Sequence, residues 1–514
     1  MDLQAIRKKL ASKDQEHLLT YWDELNESEQ NEFKTTLTKL TEELDEDMEF
    51  FERTIVAQDE KCDKLDDMMS PLDDNQCGSV NNVSEEEKAE FNRLTFESIS
   101  KNEVGIILLA GGQGTRLGVS YPKGMYKVGL PSEKSLFQLQ AERILKLELL
   151  AKEKTGKRGA ITWYIMTSAS TIKPTKAFFA ENNYFGLDKS NIVFFQQGTL
   201  PCFTFSGHII LGGKKDIARA PDGNGGLYRA LRHEKIIDDM KSRGVKYINL
   251  YCVDNILVQV GDPLFMGYCI SKQADCANKV VGKSYPKESV GITCKVNGKP
   301  QVVEYSEITM ASCEKTNPDG SLVYSAANIC IHFFTRQFLE EVVYKHEPKL
   351  VHHMAKKKIP FMDVKNTREL VKPANPNGIK MEKFVFDVFQ FANNFVIWEC
   401  LREEEFAPLK NAEGANDSTP TYCRNALFAR CQKWAMAAGA TFVDKDGKKL
   451  PLMINPAAPK ESNNNNNNND KTSSVSPNFV AEVEISPLVS FAGEGLENFV
   501  SGKTFQLPCH DIGL

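Results

Sequence analysis

The chain has 514 residues, 41% hydrophobic and 26% charged, a globular composition long enough for two or three domains around a sizeable core. Its formal net charge of −6 argues against a nucleic-acid binder, which carries a basic stripe, but not against an anionic small substrate in a locally positive pocket. Thirteen cysteines without a Cys-x-x-Cys pair, no signal-length apolar run at the start and no apolar run near the roughly 20 residues of a membrane span lead us to expect reduced thiols and a cytosolic protein.

Residues 1–100 read as a polar, helical N-terminal region. Leu18, Leu19, Trp22 and Leu25 recur at helical spacing. Asn26 with Glu29 fits a capping box that opens a second helix, with Phe33, Leu37, Leu40 and Leu44 on one face. Met68–Val83 has the Pro, Gly, Asp and Asn content of a loop.

Residues 101–405 alternate strands with helices. Ile106–Ala110 is a buried strand that stops at Gly111, Gly112 and Gly114. Further strands are expected at Ala160–Thr167, Asn191–Gln196 and Tyr247–Val253, with helices at Leu136–Lys154, Lys173–Asn182 and Leu227–Gly244. That alternation implies a mostly parallel sheet covered on both faces. Closer strands at Val290–Cys294, Gln301–Tyr305 and Asn328–Phe334 suggest an antiparallel-leaning extension. The pair His352-His353, beside Lys356–Lys358, reads as a solvated helix face rather than a metal site. Residues 406–514 read as a small C-terminal domain with a helix at Thr421–Ala438, a low-complexity run Asn463–Asn469 expected to be a disordered surface loop, and a last strand in Phe479–Pro487.

A buried parallel strand that ends in a glycine-rich turn is how α/β proteins seat phosphates, because glycine lets backbone N–H groups approach the anion. The turn after Ala110 is not a P-loop, since no Gly-Lys-Ser/Thr stands at the required spacing. Nor is it a dinucleotide fingerprint, because the third glycine is expected at Leu117. Arg116 and the Pro122-Lys123-Gly124 turn add cations at once. Asp254 ends the third strand, where α/β sheets bind ligands, and a carboxylate there suits a hard cation. Asp222, in a Pro-Asp-Gly turn, reads as a turn residue.

The string Leu109-Ala-Gly-Gly-Gln-Gly-Thr-Arg-Leu-Gly118 with Pro122-Lys123 resembles the signature of sugar-nucleotide pyrophosphorylases, and its continuation through Pro131 resembles the eukaryotic UDP-N-acetylhexosamine branch. The likeness runs on through Gln196-Gln-Gly, Ala220–Gly226, Val253-Asp-Asn255, Ser325–Asn328, Phe406–Lys410 and Ile485–Gly493. It implies a Rossmann-like nucleotidyltransferase domain, and a uridylyltransferase that joins UTP and N-acetylglucosamine 1-phosphate into UDP-N-acetylglucosamine and pyrophosphate. The alternatives are a UDP-glucose or broad UDP-sugar pyrophosphorylase and a non-catalytic nucleotide-sugar sensor. The resemblance also implies roles. Lys123 takes the α-phosphate, Arg116 the departing pyrophosphate, and Lys410 reaches the phosphates from the far side of the cleft. Asp254 holds Mg²⁺ or Mn²⁺. Gly111, Gly112, Gln197, Gly223 and Asn224 read uracil and ribose, with Gln197 favoured over Gln196. Gly291, Glu304, Tyr305 and Asn328 take the hexose, and Phe384 and Phe386 wall the N-acetyl pocket. The expected partners are these small molecules, with no nucleic acid and no membrane; a homodimer is the assembly to test.

Overall fold

The architecture comes from a computed structural model that describes residues 1–59, 65–364, 367–458 and 479–512. Two compact units make up the chain, each built from three separate stretches. The first unit takes Met1–Lys64, Gln197–His233 and Val342–Asp387; the second takes Leu65–Gln196, Glu234–Glu341 and Val388–Leu514. The sequence breaks near residues 100 and 405 are changes in composition, whereas compactness is decided by which apolar faces meet.

The second unit is organised on one sheet. Its strands are β1 Cys77–Ser79, β2 Val104–Leu109, β3 Thr162–Thr167, β4 Ile192–Gln196, β5 Tyr247–Cys252, β6 Cys276–Gly282, β7 Ala326–Thr335 and β8 Phe395–Cys400, in the spatial order β1-β8-β6-β7-β5-β2-β3-β4. Every neighbouring pair is parallel except those made by β7, which runs antiparallel to both β5 and β6. All residues of β2 and of β3 are buried, as a sheet covered on both faces requires. Helices Leu136–Thr155, Ile172–Glu181 and Pro263–Ser271 flank it. The pattern Leu227–Gly244 is two helices, Leu227–His233 and Ile236–Arg243, because Lys235 takes a left-handed backbone (φ +54°). The expected antiparallel extension is a hairpin, Ile292–Val296 with Lys299–Val303, joined to β7 through Ile292 and Ala327. Met68–Val83 is not a plain loop: Met69–Ser70 pairs with that hairpin and β1 joins β8. Helix Pro420–Ala437 buries Cys423, Ala426, Leu427 and Cys431 in one cluster with Leu117, Val128, Leu136 and Ile256. The asparagine run lies outside the described residues.

The first unit carries a long helix, Glu27–Asp59, whose start is closed by the expected box: Asn26 N–H donates to Glu29 Oε2 and Glu29 N–H to Asn26 Oδ1, both at 3.0 Å. Phe33, Leu37, Leu40 and Leu44 are fully buried. They pack with Leu18, Leu200, Phe203, Ile379 and Met381. Leu18 to Leu25 form two short 3₁₀ turns rather than one α-helix. The His352-His353 reading is corrected. His353–Lys357 is a strand paired with Gly378–Glu382, which supplies the ladder partners that a helix would not need. His352 is buried against the Phe50 ring at 4.6 Å; burial first, and then Lys383 and Arg229, push its pKa down to about 2. Among the described residues, no helix is long and apolar enough to cross a membrane.

Candidate active site

In the second unit, β2 ends at Leu109 and its successor is tied down: Ala110 N–H donates to Met166 O at 2.8 Å, and Ser168 Oγ donates to Gly111 O at 2.8 Å. The loop then folds back on itself. Gly114 N–H donates to Tyr121 O at 3.1 Å and Lys123 N–H to Gly112 O at 3.2 Å. Those bonds bring the Pro122-Lys123 turn under the glycines. A Cβ on Gly112 would meet nothing within 4 Å, so the loop crest faces open space.

A pocket of about 240 Å³ opens there, lined by Gln113, Gly114, Thr115, Arg116, Leu117, Lys123, Asp254 and Lys410. Four of the residues singled out in the sequence therefore share one cavity: Arg116, Lys123, Lys410 and Asp254. Lys123 Nζ lies 3.6 Å from Asp254 Oδ2, both half-buried. Three cations face one carboxylate, which leaves an excess of positive charge suited to a polyphosphate.

Asp254 and Lys410 are 156 positions apart (410 − 254) and are joined by a short ladder. Leu409 N–H donates to Asp254 O at 2.8 Å. Asn255 is 3% exposed and clamps the same segment: its Nδ2 donates to Glu405 O at 2.6 Å, and its Oδ1 accepts from Ala407 N at 3.0 Å and from Leu257 N at 3.2 Å. Behind it, buried Lys279 donates to Glu405 Oε2 at 2.5 Å and to Asp262 Oδ2 at 2.6 Å. Burial, opposed by Lys279, raises the Glu405 carboxyl to about 7. Asn255 was missed as a positioning residue; a lone Asn after an Asp gives no sign in sequence of what it clamps.

Three of the four residues expected at the hexose, Gly291, Glu304 and Asn328, come together in the second unit. Ile292 pairs with Val303, so Gly291 stands beside Glu304; a Cβ on Gly291 would come within 3.0 Å of Glu304 Oε1. Asn328 N–H donates to Gly291 O at 2.9 Å. Tyr305, next to Glu304, is half exposed at 52% and is not drawn into this group.

The first unit holds the remaining residues. Gly223 has φ +79°, and a Cβ there would lie 2.2 Å from Lys383 O, so only glycine fits. Lys383 N–H donates to Asp222 O and Gly225 N–H to Lys383 O, each at 2.8 Å. Asn224 Oδ1 accepts from Val385 N–H at 2.9 Å, which joins the glycine turn to the segment between Phe384 and Phe386. Those two rings stack on each other with centroids 5.1 Å apart; they lie in a turn rather than on a strand or helix. Gln197 is 8% exposed.

Beneath this turn lies an ionic cluster that sequence reading did not find. Asp222, read as a turn residue, is 1% exposed, and burial, opposed by Lys383 and Arg229, raises its pKa to about 6. Lys383 Nζ donates to Glu347 Oε1 at 2.6 Å with both side chains fully buried. Arg229 Nη1 is 3.5 Å from Asp47 Oδ1, and burial still raises Asp47 to about 7. Charges on four distant stretches leave no local pattern, so only the fold reveals them.

A family model described as UTP–glucose-1-phosphate uridylyltransferase matches residues 46–456. The chain belongs to this family. A relative in Xenopus tropicalis, UDP-N-acetylhexosamine pyrophosphorylase-like protein 1, is 48% identical over 513 residues, covering 99% of this chain and 97% of its own. The UDP-N-acetylglucosamine pyrophosphorylase of Saccharomyces cerevisiae is 39% identical and covers 96% of each chain. The solved uridine diphosphate N-acetylglucosamine pyrophosphorylase of Trypanosoma brucei superposes with a TM-score of 0.76 at 26% identity, over 96% of this chain and 94% of its own. The uridylyltransferase family thus carries the nucleotidyltransferase-like architecture seen here, a mixed sheet dominated by parallel strands.

Proposed function

We propose that the protein is a uridylyltransferase that makes UDP-N-acetylglucosamine and pyrophosphate from UTP and N-acetylglucosamine 1-phosphate. The observation that carries this reading is the pocket in which Arg116, Lys123 and Lys410 meet Asp254 at the end of the glycine-rich loop. The sugar phosphate is already an anionic nucleophile at neutral pH, so no side chain has to take a proton from it. The barrier lies in bringing two polyanions together and in stabilising charge at the α-phosphorus, which calls for position and cations.

Lys123 is assigned to the α-phosphate and Arg116 to the leaving pyrophosphate, with Lys410 on the same phosphates from the 405–410 segment. Pairing with Asp254 keeps the Lys123 ammonium at the pocket before substrate arrives. Gly111 and Gly112 present backbone at the loop crest. Gly223, Asn224 and Gln197 are assigned to uracil and ribose, Gly291, Glu304, Tyr305 and Asn328 to the hexose, and Phe384 and Phe386 to the N-acetyl group. These roles rest on the match to the family pattern.

Uridylyltransferases of this kind work with a divalent metal, for which we propose Mg²⁺, or Mn²⁺ in its place. The residues fit it: Asp254 is the one carboxylate lining the pocket, and among the described residues no group of three or more metal-ligating side chains exists. A hard cation that takes one carboxylate and fills its remaining positions with phosphate oxygens and waters needs no more than that. When bound, it neutralises phosphate charge and orients the triphosphate. A cytosolic location and the absence of nucleic-acid or membrane partners remain part of this proposal.

The decisive experiment measures pyrophosphate release from UTP with a panel of sugar 1-phosphates. A clear preference for N-acetylglucosamine 1-phosphate is expected. A preference for glucose 1-phosphate overturns the substrate, and no release with any of them overturns the reaction.

A further inference from the structure

We propose that Cys252 and Cys330 form a redox-reactive dithiol, a modification site that a hydroperoxide converts to a disulfide joining the Asp254 strand to the Asn328 bulge. Cys252 is the last residue of β5, two positions before Asp254. Cys330 lies in β7. The antiparallel register ends at Tyr251 with Ile331, and Cys252 and Cys330 are the next residue on each strand. The two sulfurs are 3.3 Å apart, with Cys252 Sγ donating to Cys330 Sγ. Closing to the covalent length of about 2.05 Å asks for a shift of little more than 1 Å.

A bulge brings the two thiols together. On β6, Lys279 faces Ile331 while Val280 faces Asn328, so Ile329 and Cys330 are extra residues on β7. Cys330 takes φ +57°, a conformation that side chains other than glycine adopt at a cost. A bulge re-aims a side chain, and this one turns the Cys330 sulfur to Cys252. The same bulge holds Asn328, whose Oδ1 accepts from Cys330 N–H at 3.0 Å. As residues, Cys252 and Cys330 are partly buried, whereas Cys269, Cys276, Cys294, Cys400, Cys423 and Cys431 are buried.

The chemistry balances with one hydroperoxide. The Cys330 sulfur, which accepts the hydrogen bond, attacks one oxygen of the O–O bond; that bond breaks, the sulfur becomes a sulfenic acid, and the other oxygen leaves as the alcohol or as water, carrying the proton of the Cys330 thiol. The Cys252 sulfur then attacks the sulfenic sulfur; the S–S bond forms, the S–O bond breaks, and the oxygen leaves as water with the thiol proton. Two thiols lose two electrons and two protons, and the peroxide is reduced. The new bond pulls the Cys330 backbone, and Asn328 with it, toward the strand end that carries Asp254. The sugar phosphate should bind worse and turnover should fall at least ~10-fold, since small displacements at a reacting centre are costly.

The test treats the reduced full-length protein with hydrogen peroxide, blocks free thiols, and maps peptides without reduction. A peptide pair linking Cys252 to Cys330, two hydrogens lighter than the sum, is expected. No such link under conditions that oxidise exposed Cys77 overturns the proposal. In parallel, pyrophosphate release should fall in the oxidised protein, return with dithiothreitol, and survive peroxide in both Cys330→Ala and Cys252→Ser. Equal loss in those variants overturns the functional consequence. The kinetic arm rests on the proposed reaction, while the peptide map does not, so a protein that never releases pyrophosphate but forms the link refutes the first reading and keeps this one.

Discussion

Lys123 is the residue on which the proposed chemistry turns most directly. Replacing it with alanine removes one preorganised cation from the pocket, and losing a single such donor typically costs about 100-fold or more in turnover. Lys123→Ala that folds, and whose steady-state kcat stays within a few-fold of the parent, would remove it from the α-phosphate. Asn255 acts one step back. Its three side-chain hydrogen bonds hold the segment that ends in Lys410. Asn255→Ala leaves buried backbone groups unpaired, so we expect a loss of roughly 2–3 kcal/mol in stability and a raised KM for UTP. Calorimetry and kinetics on the same preparation test both; an unchanged KM would make the clamp purely structural. Lys123 was legible in the sequence because Pro-Lys-Gly follows a glycine turn at short range. Asn255 was not, because its three partners lie at residues 257, 405 and 407 and two of the three contacts arise only on folding.

Among elements, the helix Glu27–Asp59 places Asp47 where water is gone. Asp47 titrates near 3.8 in ordinary surroundings and about 7 here, with burial outweighing Arg229. A carboxyl whose folded pKa is raised holds its proton better in the folded state. Its stabilisation is therefore complete below about pH 4 and is lost as pH rises through about 7. Asp222, raised to about 6, adds to the same slope over a narrower window. Urea midpoints of the parent should fall between about pH 5 and about pH 7.5, and Asp47→Asn should flatten that fall. A variant with the parental slope would show that Asp47 is not the titrating group. The strand ends and the capping box at Asn26 were readable because period and cap residues are local signals. The bulge at Ile329-Cys330 was not, since it is defined by a slip against Lys279 and Val280 some fifty residues earlier, nor was the strand at His353, whose ladder partner is residues 378–382.

At the scale of the whole molecule, the pocket has one carboxylate, Asp254, for the metal we propose, so activity should depend wholly on added divalent ion. Chelation is expected to abolish pyrophosphate release and Mg²⁺ to restore it. Asp254→Ala should leave a folded protein that no concentration of Mg²⁺ revives; residual Mg²⁺-dependent activity would move the metal site elsewhere. The alternation of strands and helices from residue 101 onward announced a mostly parallel sheet; its strand order, with Cys77–Ser79 and Phe395–Cys400 at one side, was not announced, because pairing between distant strands leaves no local pattern. What composition hid was the assignment of residues 1–59, 197–233 and 342–387 to one body, because the apolar face of an early helix does not name the strands it will meet.

That discontinuity has a consequence for how the protein is made. The stripe of Phe33, Leu37, Leu40 and Leu44 leaves the ribosome early, yet two of the residues it packs with, Ile379 and Met381, follow more than 300 positions later (379 − 59 = 320 from the end of the helix). At roughly 5–20 residues per second, the nascent helix waits some 15–65 s with part of its apolar face unmatched. During that interval it is a substrate for chaperones and a nucleus for aggregation. The yield of soluble protein should therefore depend on the rate of translation between the helix and residues 379–381.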